Sequence, residues 1–518
     1  MNNSSTISLP KPLSPTKARI SLQITDKCES FTSFIFWNKA NRTYMGTALI
    51  GMVIQFIAFK FLYPFPDFFS DSYSYIYAAY AHLDVNIWPI GYSKFLAAFH
   101  ELTHSDTALV GFQYFFLEIS ALYFYFTWSY FFRPGRNSKI ILFCSLFFNP
   151  LFLYISNYVN SDPLFAALSL WWFTELIWII NRPRLYQVLT QGVLLFFCFT
   201  VRNNAYIYPF ITILAFLLSR QRIWIKVAGI LLAPALISFF VLHTRSVAKE
   251  VTGTAQFSLF TGWQLANNVL YYRDKLSFDS KALPTVEDRI IDSFAVAYFR
   301  HFNPGKFHEY LNDYVGNYFI REPEAPLKKY FLNYYKPKSA EEQISSWGSA
   351  SAIYNAYAQS IIRKYPFAYA KYFMLLNAKN YLLPPLEKLE LYNLGESTIN
   401  LLAARWFNYK GNKINVISYT IQGRIMQFFP SLFLAENILF FLGIPLIIKA
   451  KRDNHSFSTI QINVLILFSS FILLNAIFSV MTTIVVFRYE VLPLVLLLAC
   501  ITIIFNLESS LKTTMLKK

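Results

Sequence analysis

Apolar runs of 18 residues or more recur along the 518 residues and constrain the fold more than any other feature. Within lipid only a helix or a closed barrel satisfies its own backbone. A hydrocarbon core about 30 Å thick takes about 20 helical residues. Ten spans follow, at roughly 44–63, 107–132, 139–156, 163–180, 186–202, 204–220, 223–243, 429–449, 459–480 and 485–506. The chain is 55% hydrophobic and only 14% charged, which leaves too few charges to solvate so much apolar surface. The patterns are helical rather than alternating. They predict an all-α polytopic membrane protein of about ten transmembrane helices.

The net charge of +17 would suggest nucleic acid in a soluble protein. Here much of the excess lies in short connections and tails, where it sets orientation instead. Arg133, Arg136 and Lys139, then Arg182 and Arg184, then Arg220, Arg222 and Lys226, then Lys449, Lys451 and Arg452 all fall on one side of a ten-span arrangement. That side is expected to be cytoplasmic, together with the polar tails 1–43 and 507–518. The start of the first tail, rich in Ser, Pro and Lys, is expected to be disordered, and it has no signal-peptide pattern. The transmembrane core is then 44–243 and 429–506, with a first outer loop at 64–106 and a helical outer domain at 244–428. In that domain 257–272 and 365–382 are amphipathic, the second broken by Pro384 and Pro385.

The sequons at Asn2, Asn3, Asn41 and Asn454 all lie on the expected cytoplasmic side, which fits a protein whose outer face never meets, or never needs, eukaryotic N-glycosylation. Cys28, Cys144, Cys198 and Cys500 are far apart and form neither a disulfide framework nor a zinc spacing.

The first outer loop is too polar to span a bilayer. Asp67 and Asp71 stand at its start, and Ser70 is placed to cap a helix with Tyr73, Tyr77 and Tyr80 on one face. Pro89–Gly91 ends that helix and a second follows over Tyr92–His100. Two short helices on the membrane surface would hold Asp71 at the mouth of the bundle. An acidic group among aromatics at a membrane boundary is costly and marks a functional candidate. The plainer alternative is an Asp that complements a helix dipole.

Other outer span ends bring Asn157, Asn160, Ser161 and Asp162, then Arg202, Asn203 and Asn204, then Arg488, Tyr489 and Glu490 to the same level, with Lys60 one turn inside the first span. Guanidinium groups suit a lipid-linked phosphate, because they are always charged and bind two oxygens at once. Carboxylates suit removal of a hydroxyl proton. For Arg488 the structural alternatives are snorkelling or a pair with Glu490.

Ser70–Asp71 after the first span, with Trp88–Tyr92 (WPIGY) beyond it, resembles the first outer loop of the GT-C superfamily of integral-membrane glycosyltransferases. Asn157–Phe165 (NYVNSDPLF), Thr200–Pro209 (TVRNNAYIYP) and the late pair Arg488–Tyr489 are similar to further stretches of it. The nearest likeness is to the bacterial branch resembling protein O-mannosyltransferases and the lipid A aminoarabinose transferase. The resemblance covers about the first 210 residues and the last spans, and does not extend to 244–428. It implies a polyprenyl-phosphate-linked sugar donor and a catalytic site on the outer (periplasmic) face of the inner membrane. It implies Asp71 as catalytic base, Arg488 and Arg202 as the grip on the donor phosphate, and Asp162 as a second acidic position. Tyr489, Asn203 and Lys60 are expected to position donor or acceptor. No paired DxD is present, since Asp67 and Asp71 are four apart. The expectation is therefore a transferase without metal or cofactor, acting on a hydroxyl of a lipid, glycan or protein. Two other functions compete: a flippase or exporter of a lipid-linked glycan, and an O-antigen-type polymerase. A transporter more often carries internal repeats and midplane charges.

Overall fold

The computed structural model describes residues 29–301, 316–452 and 459–515. The tail up to residue 28, with Cys28 and the Asn2 and Asn3 sequons, and the Asn454 sequon lie outside the described residues. The chain divides into two compact units, 1–47 and 48–518. In the first, Ser30 caps the helix Phe31–Phe36 through its Oγ, 3.0 Å from the Ser33 amide. The Asn41 amide group donates to Phe34 O at 2.8 Å.

Among the described residues there is no β-strand, and seven helices are long and apolar enough to cross a membrane. They are Lys39–Leu62, Asp106–Phe132, Arg136–Ser156, Ser161–Asn181, Ile223–Thr252, Ile421–Pro445 and Thr459–Thr482. Shorter apolar helices over Leu185–Val201, Asn203–Leu218 and Val491–Phe505 stand where the other three spans were expected. The chain is an all-α, multi-pass membrane protein.

Three boundaries depart from the sequence reading. The third span is interrupted at Phe148–Asn149, where the Asn149 side chain caps a new start at Pro150 and accepts from the Leu151 amide at 2.8 Å. The helix from Ile223 continues to Thr252 and ends at Gly253 with φ +76°, a left-handed position that suits glycine. At about 1.5 Å per residue its length is about 45 Å, beyond a core of about 30 Å. Arg488 lies before the last helix, in the short turn Phe487–Tyr489, rather than inside the span.

Ser161–Asn181 is the most buried of the long helices, with 89% of its apolar window enclosed against 17% for Ile223–Thr252. Aromatic packing holds it: Trp172 stacks on Tyr208 at 4.2 Å, and Phe173 meets Phe468 at 4.9 Å. The Asp at its N-terminus is therefore anchored by the best-packed element.

The segment read from sequence as the first outer loop forms two helices, Ser70–Tyr80 and Gly91–Leu102. Ser70 begins the first helix instead of capping it; Phe69 precedes it, and the Phe69 amide donates to Ser72 Oγ at 3.2 Å. The face turned inward carries Asp71, Tyr75, Ala78 and Ala79, while Tyr80 is exposed. A Cβ on Gly91 would lie 2.6 Å from the Thr200 backbone. Glycine there lets the second loop helix ride against the end of Leu185–Val201, two residues from Arg202.

The segment read from sequence as the outer domain folds into helices Thr261–Leu270, Val286–His301, Pro326–Tyr334, Ala340–Lys364 and Pro366–Leu382, the last through a π-helical stretch at Ala370–Met374. Trp263, Tyr354, Tyr357, Ile291 and Phe373 form its core, and Ile484 and Val486 belong to the same cluster. The residues leading into Arg488 are thus fixed by outer-segment packing.

Candidate functional site

Asp71 is brought to the site by two backbone links. The Asp67 amide donates to Asn157 O at 2.9 Å, and the Val159 amide donates to Asp67 O at 3.2 Å. This short parallel bridge sets the first outer loop beside the turn that carries Asp162. Asp67 itself is spent on structure: its carboxylate accepts from the Asn393 amide at 2.9 Å and from Gln422 at 3.3 Å. Burial pushes its carboxyl up to about 7.

A third chain segment completes the site. After Pro384 and Pro385 the chain runs across the outer loop as an irregular strap. Tyr392 donates to Phe65 O at 3.0 Å and to Pro66 O at 2.9 Å. Tyr158 donates to Lys388 O at 2.9 Å, and the Phe487 amide donates to Pro385 O at 2.9 Å. Glu387 is held at φ +53°, a conformation uncommon outside glycine. The strap delivers Glu387 and Lys388 to Asp71 and Arg488.

Arg488 is the hub, and only 7% of it is exposed. Its Nη1 lies 3.2 Å from Asp162 Oδ2, its Nη2 3.7 Å from Asp71 Oδ2, and its Nε 3.8 Å from Glu387 Oε2. Nη2 also donates to the Tyr489 hydroxyl at 2.9 Å. Lys388 Nζ donates to Asp71 Oδ2 at 2.9 Å. Arg202, which ends the Leu185–Val201 helix, pairs with Asp162 and lies 4.5 Å from the Tyr489 ring centroid. Arg321 of the outer segment pairs with Glu387.

The electrostatics follow from burial against pairing. Burial pushes the Asp71 carboxyl up, but Lys388 and Arg488 outweigh it and hold the group below its usual range. Glu387 is likewise raised by burial and pulled below its usual range by Arg488, Lys388 and Arg321. Lys388 goes down to about 8, because burial outweighs the attraction of Asp71.

These groups face a cavity of about 970 Å³. Arg202, Arg321, Lys328, Lys388 and Arg488 line it, with Asp71 as the one carboxylate among the described residues. Asp162 and Glu387 pair with three of these cations from behind the wall, so five cations stand against three carboxylates and the cluster keeps a positive excess. Phe210, Leu265 and Phe478 line it too, and Phe210, in the first turn of the apolar helix Tyr208–Leu218, is 64% exposed. The polar chamber therefore reaches an exposed apolar surface.

The structure brings Asp71, Asp162, Arg202, Arg488 and Tyr489 together, and Asn203 lines the same cavity. Asp162 stands behind the wall, bridging Arg202 and Arg488. Lys60 is apart from the cavity, its Nζ 3.5 Å from Asn157 Oδ1. Glu490 accepts from Asn475 at 3.1 Å and forms no ion pair with Arg488. Sequence reading missed Lys388, Glu387 and Arg321. The available signal was the charged pair Glu387–Lys388, set between Leu386 and Leu389 just after Pro384–Pro385. No family model, curated protein or solved structure matches the chain.

Proposed function

We propose that the protein is an inverting glycosyltransferase of the GT-C type, moving a sugar from a polyprenyl-phosphate carrier to an acceptor hydroxyl at the outer face of the plasma (inner) membrane. The observation that carries this reading is the cationic cavity with one carboxylate on its wall and an apolar lip. The carrier's tail lies in lipid at Phe210 and Phe478. Its phosphate rests on Arg488, Arg202 and Lys388, and Asp71 faces the sugar.

In the reaction the acceptor oxygen attacks the anomeric carbon and its proton passes to Asp71. The bond from that carbon to the phosphate oxygen breaks, and the electron pair leaves with the lipid phosphate. Preorganised cations stabilise the charge that develops there. Asp71 is tied to Lys388 and Arg488, which makes it a weak base. A phosphate competes for both cations, so donor binding makes Asp71 more basic. The test is donor-dependent transfer by purified protein in lipid bilayers. Passage of intact lipid-linked sugar across the membrane without transfer would replace the enzyme by a transporter.

Donor affinity should depend on pH through Lys388. A phosphate prefers the protonated amine, whose pKa in the free site is about 8. Affinity is then full below pH 8 and falls as pH rises through it. Lys388→Arg should flatten that fall, since a guanidinium stays charged. Titration of a fluorescent polyprenyl phosphate between pH 6.5 and 9.5 reads it out; an unchanged slope in Lys388→Arg assigns the effect elsewhere.

The three shorter apolar helices complete ten spans in this reading, with both termini cytoplasmic. In a Cys144→Ser background an impermeant maleimide applied outside should label a cysteine at Gly411 and miss one at Ser138 or Asn454. Labelling at Asn454 would reverse the topology. Chelators should leave turnover intact within about twofold. Divalent ions want several oxygen ligands, and Asp71 is already shared between two cations; activity lost in chelator and restored by magnesium or manganese would contradict this.

A further inference from the structure

Resting on that reading of the cavity, we propose that its wall opposite in sequence to the phosphate cluster is the acceptor subsite, built by Lys328, Trp347, Asn317 and Gln343, and that it takes a sugar ring bearing an acidic group. These residues come from the outer segment alone, on or beside the helices Pro326–Tyr334 and Ala340–Lys364. All four line the cavity. Among the described residues no hydrogen bond or ion pair joins them to Asp71, Arg488, Arg202 or Lys388.

Trp347 is 7% exposed and is stacked on the fully buried Trp263, with ring centroids 3.9 Å apart. The Trp263 Nε1 donates to Trp347 O at 3.1 Å, which locks the pair. Yet the Nε1 of Trp347 has no partner, and neither has Asn317 Oδ1. Both atoms are enclosed within the wall, so the lining offered to a ligand is the aromatic ring of Trp347 with the side chains of Asn317 and Gln343 beside it. A sugar ring suits that lining, with hydroxyls for the amide side chains and CH faces for the aromatic surround.

Lys328 supplies the charge preference. Its Nζ lies 4.9 Å from the Trp347 ring centroid and 5.8 Å from that of Trp263. No carboxylate among the described residues pairs with it, whereas the adjacent Lys329 pairs with Glu324 at 3.1 Å. A half-buried cation without a counter-ion is costly to keep and fits an anion brought by the ligand. At about 970 Å³ the cavity is near the upper end for ligand sites and has room for a second ring beside the donor sugar.

The test uses the full chain in lipid nanodiscs with glucuronic acid and glucose as probes, measured by calorimetric titration. Glucuronic acid should bind about tenfold tighter than glucose, the worth of one charge-assisted hydrogen bond. Lys328→Gln and Lys328→Met should abolish that preference, Lys328→Arg should keep it, and Arg488→Ala should keep it. Equal binding of the two sugars, or a preference that survives both neutral variants, overturns the proposal. So does a preference lost in Arg488→Ala and kept in Lys328→Gln, which would seat the anion on the phosphate cluster. Polyprenyl phosphate, titrated separately, should lose affinity in Arg488→Ala and keep it in Lys328→Gln. Failure of that arm alone counts against the glycosyltransferase reading and leaves the sugar subsite standing.

Discussion

Asp71→Asn lowers turnover by about 10²–10⁴-fold, the usual worth of a positioned base, while the donor lipid binds at least as tightly as before. The two effects have opposite signs for a physical reason. Asp71 accepts from Lys388 at 2.9 Å and lies 3.7 Å from Arg488, so it competes with the donor phosphate for both cations. An uncharged amide of the same size no longer competes, and it no longer takes the proton. A merely structural ion pair would behave otherwise: losing it would weaken folding and donor binding together. Single-turnover transfer and lipid titration on the same preparation separate the two cases. Asp67→Asn serves as the comparison. Asp67 is held by Asn393 and Gln422 away from the cavity, and its change should act on stability more than on the chemical step. Wild-type turnover in Asp71→Asn, with Asp162→Asn inactive, would move the base to Asp162. The geometry weighs against that, since Asp162 sits behind the cavity wall between Arg202 and Arg488.

Half of this site was legible in the sequence because its parts sit at the ends of apolar runs. Asp71, Asp162, Arg202 and Arg488 each follow or precede such a run by a few residues, and span alternation puts those ends on one side. The run itself is a local signal, so the residue at its end inherits a position in depth. Lys388 has no such marker. It reaches Asp71 across 317 positions of sequence, through a strap whose hydrogen bonds to Phe65, Pro66 and Tyr158 follow no periodicity. Glu387 and Arg321 were hidden for the same reason. The span limits were blurred by a related effect. Tyr208–Leu218 and Val491–Phe505 are apolar like their neighbours, but each begins after a short 3-10 turn, and these turns carry Asn203 and Arg488. Polar residues at the edge of an apolar run show where chemistry lies before they show where the helix starts.

Removing the hub itself should have the broadest effect. Arg488→Ala takes away the group that faces Asp71, Asp162 and Glu387 at 3.7, 3.2 and 3.8 Å. Hydrogen bonds to charged groups contribute about 1.5–3 kcal/mol each, so the loss of donor phosphate contacts alone lowers kcat/KM by about tenfold to more than a hundredfold. A second cost adds to it. Three carboxylates are left facing fewer cations, and breaking a buried pair by deleting one partner destabilises by about 3–5 kcal/mol. Thermal unfolding must therefore be measured beside activity. Arg488→Lys restores part of the charge and most of the stability, but it cannot reach Asp162, Tyr489 and the phosphate at once as a planar fork does. It should fold normally and remain impaired in donor binding. Arg488→Ala combined with Asp71→Asn removes one cation and one carboxylate together; it should regain stability relative to Arg488→Ala while staying inactive. A folded Arg488→Ala protein with undiminished donor affinity would show that Arg488 only balances the buried carboxylates, and the phosphate grip would then fall to Arg202 and Lys388.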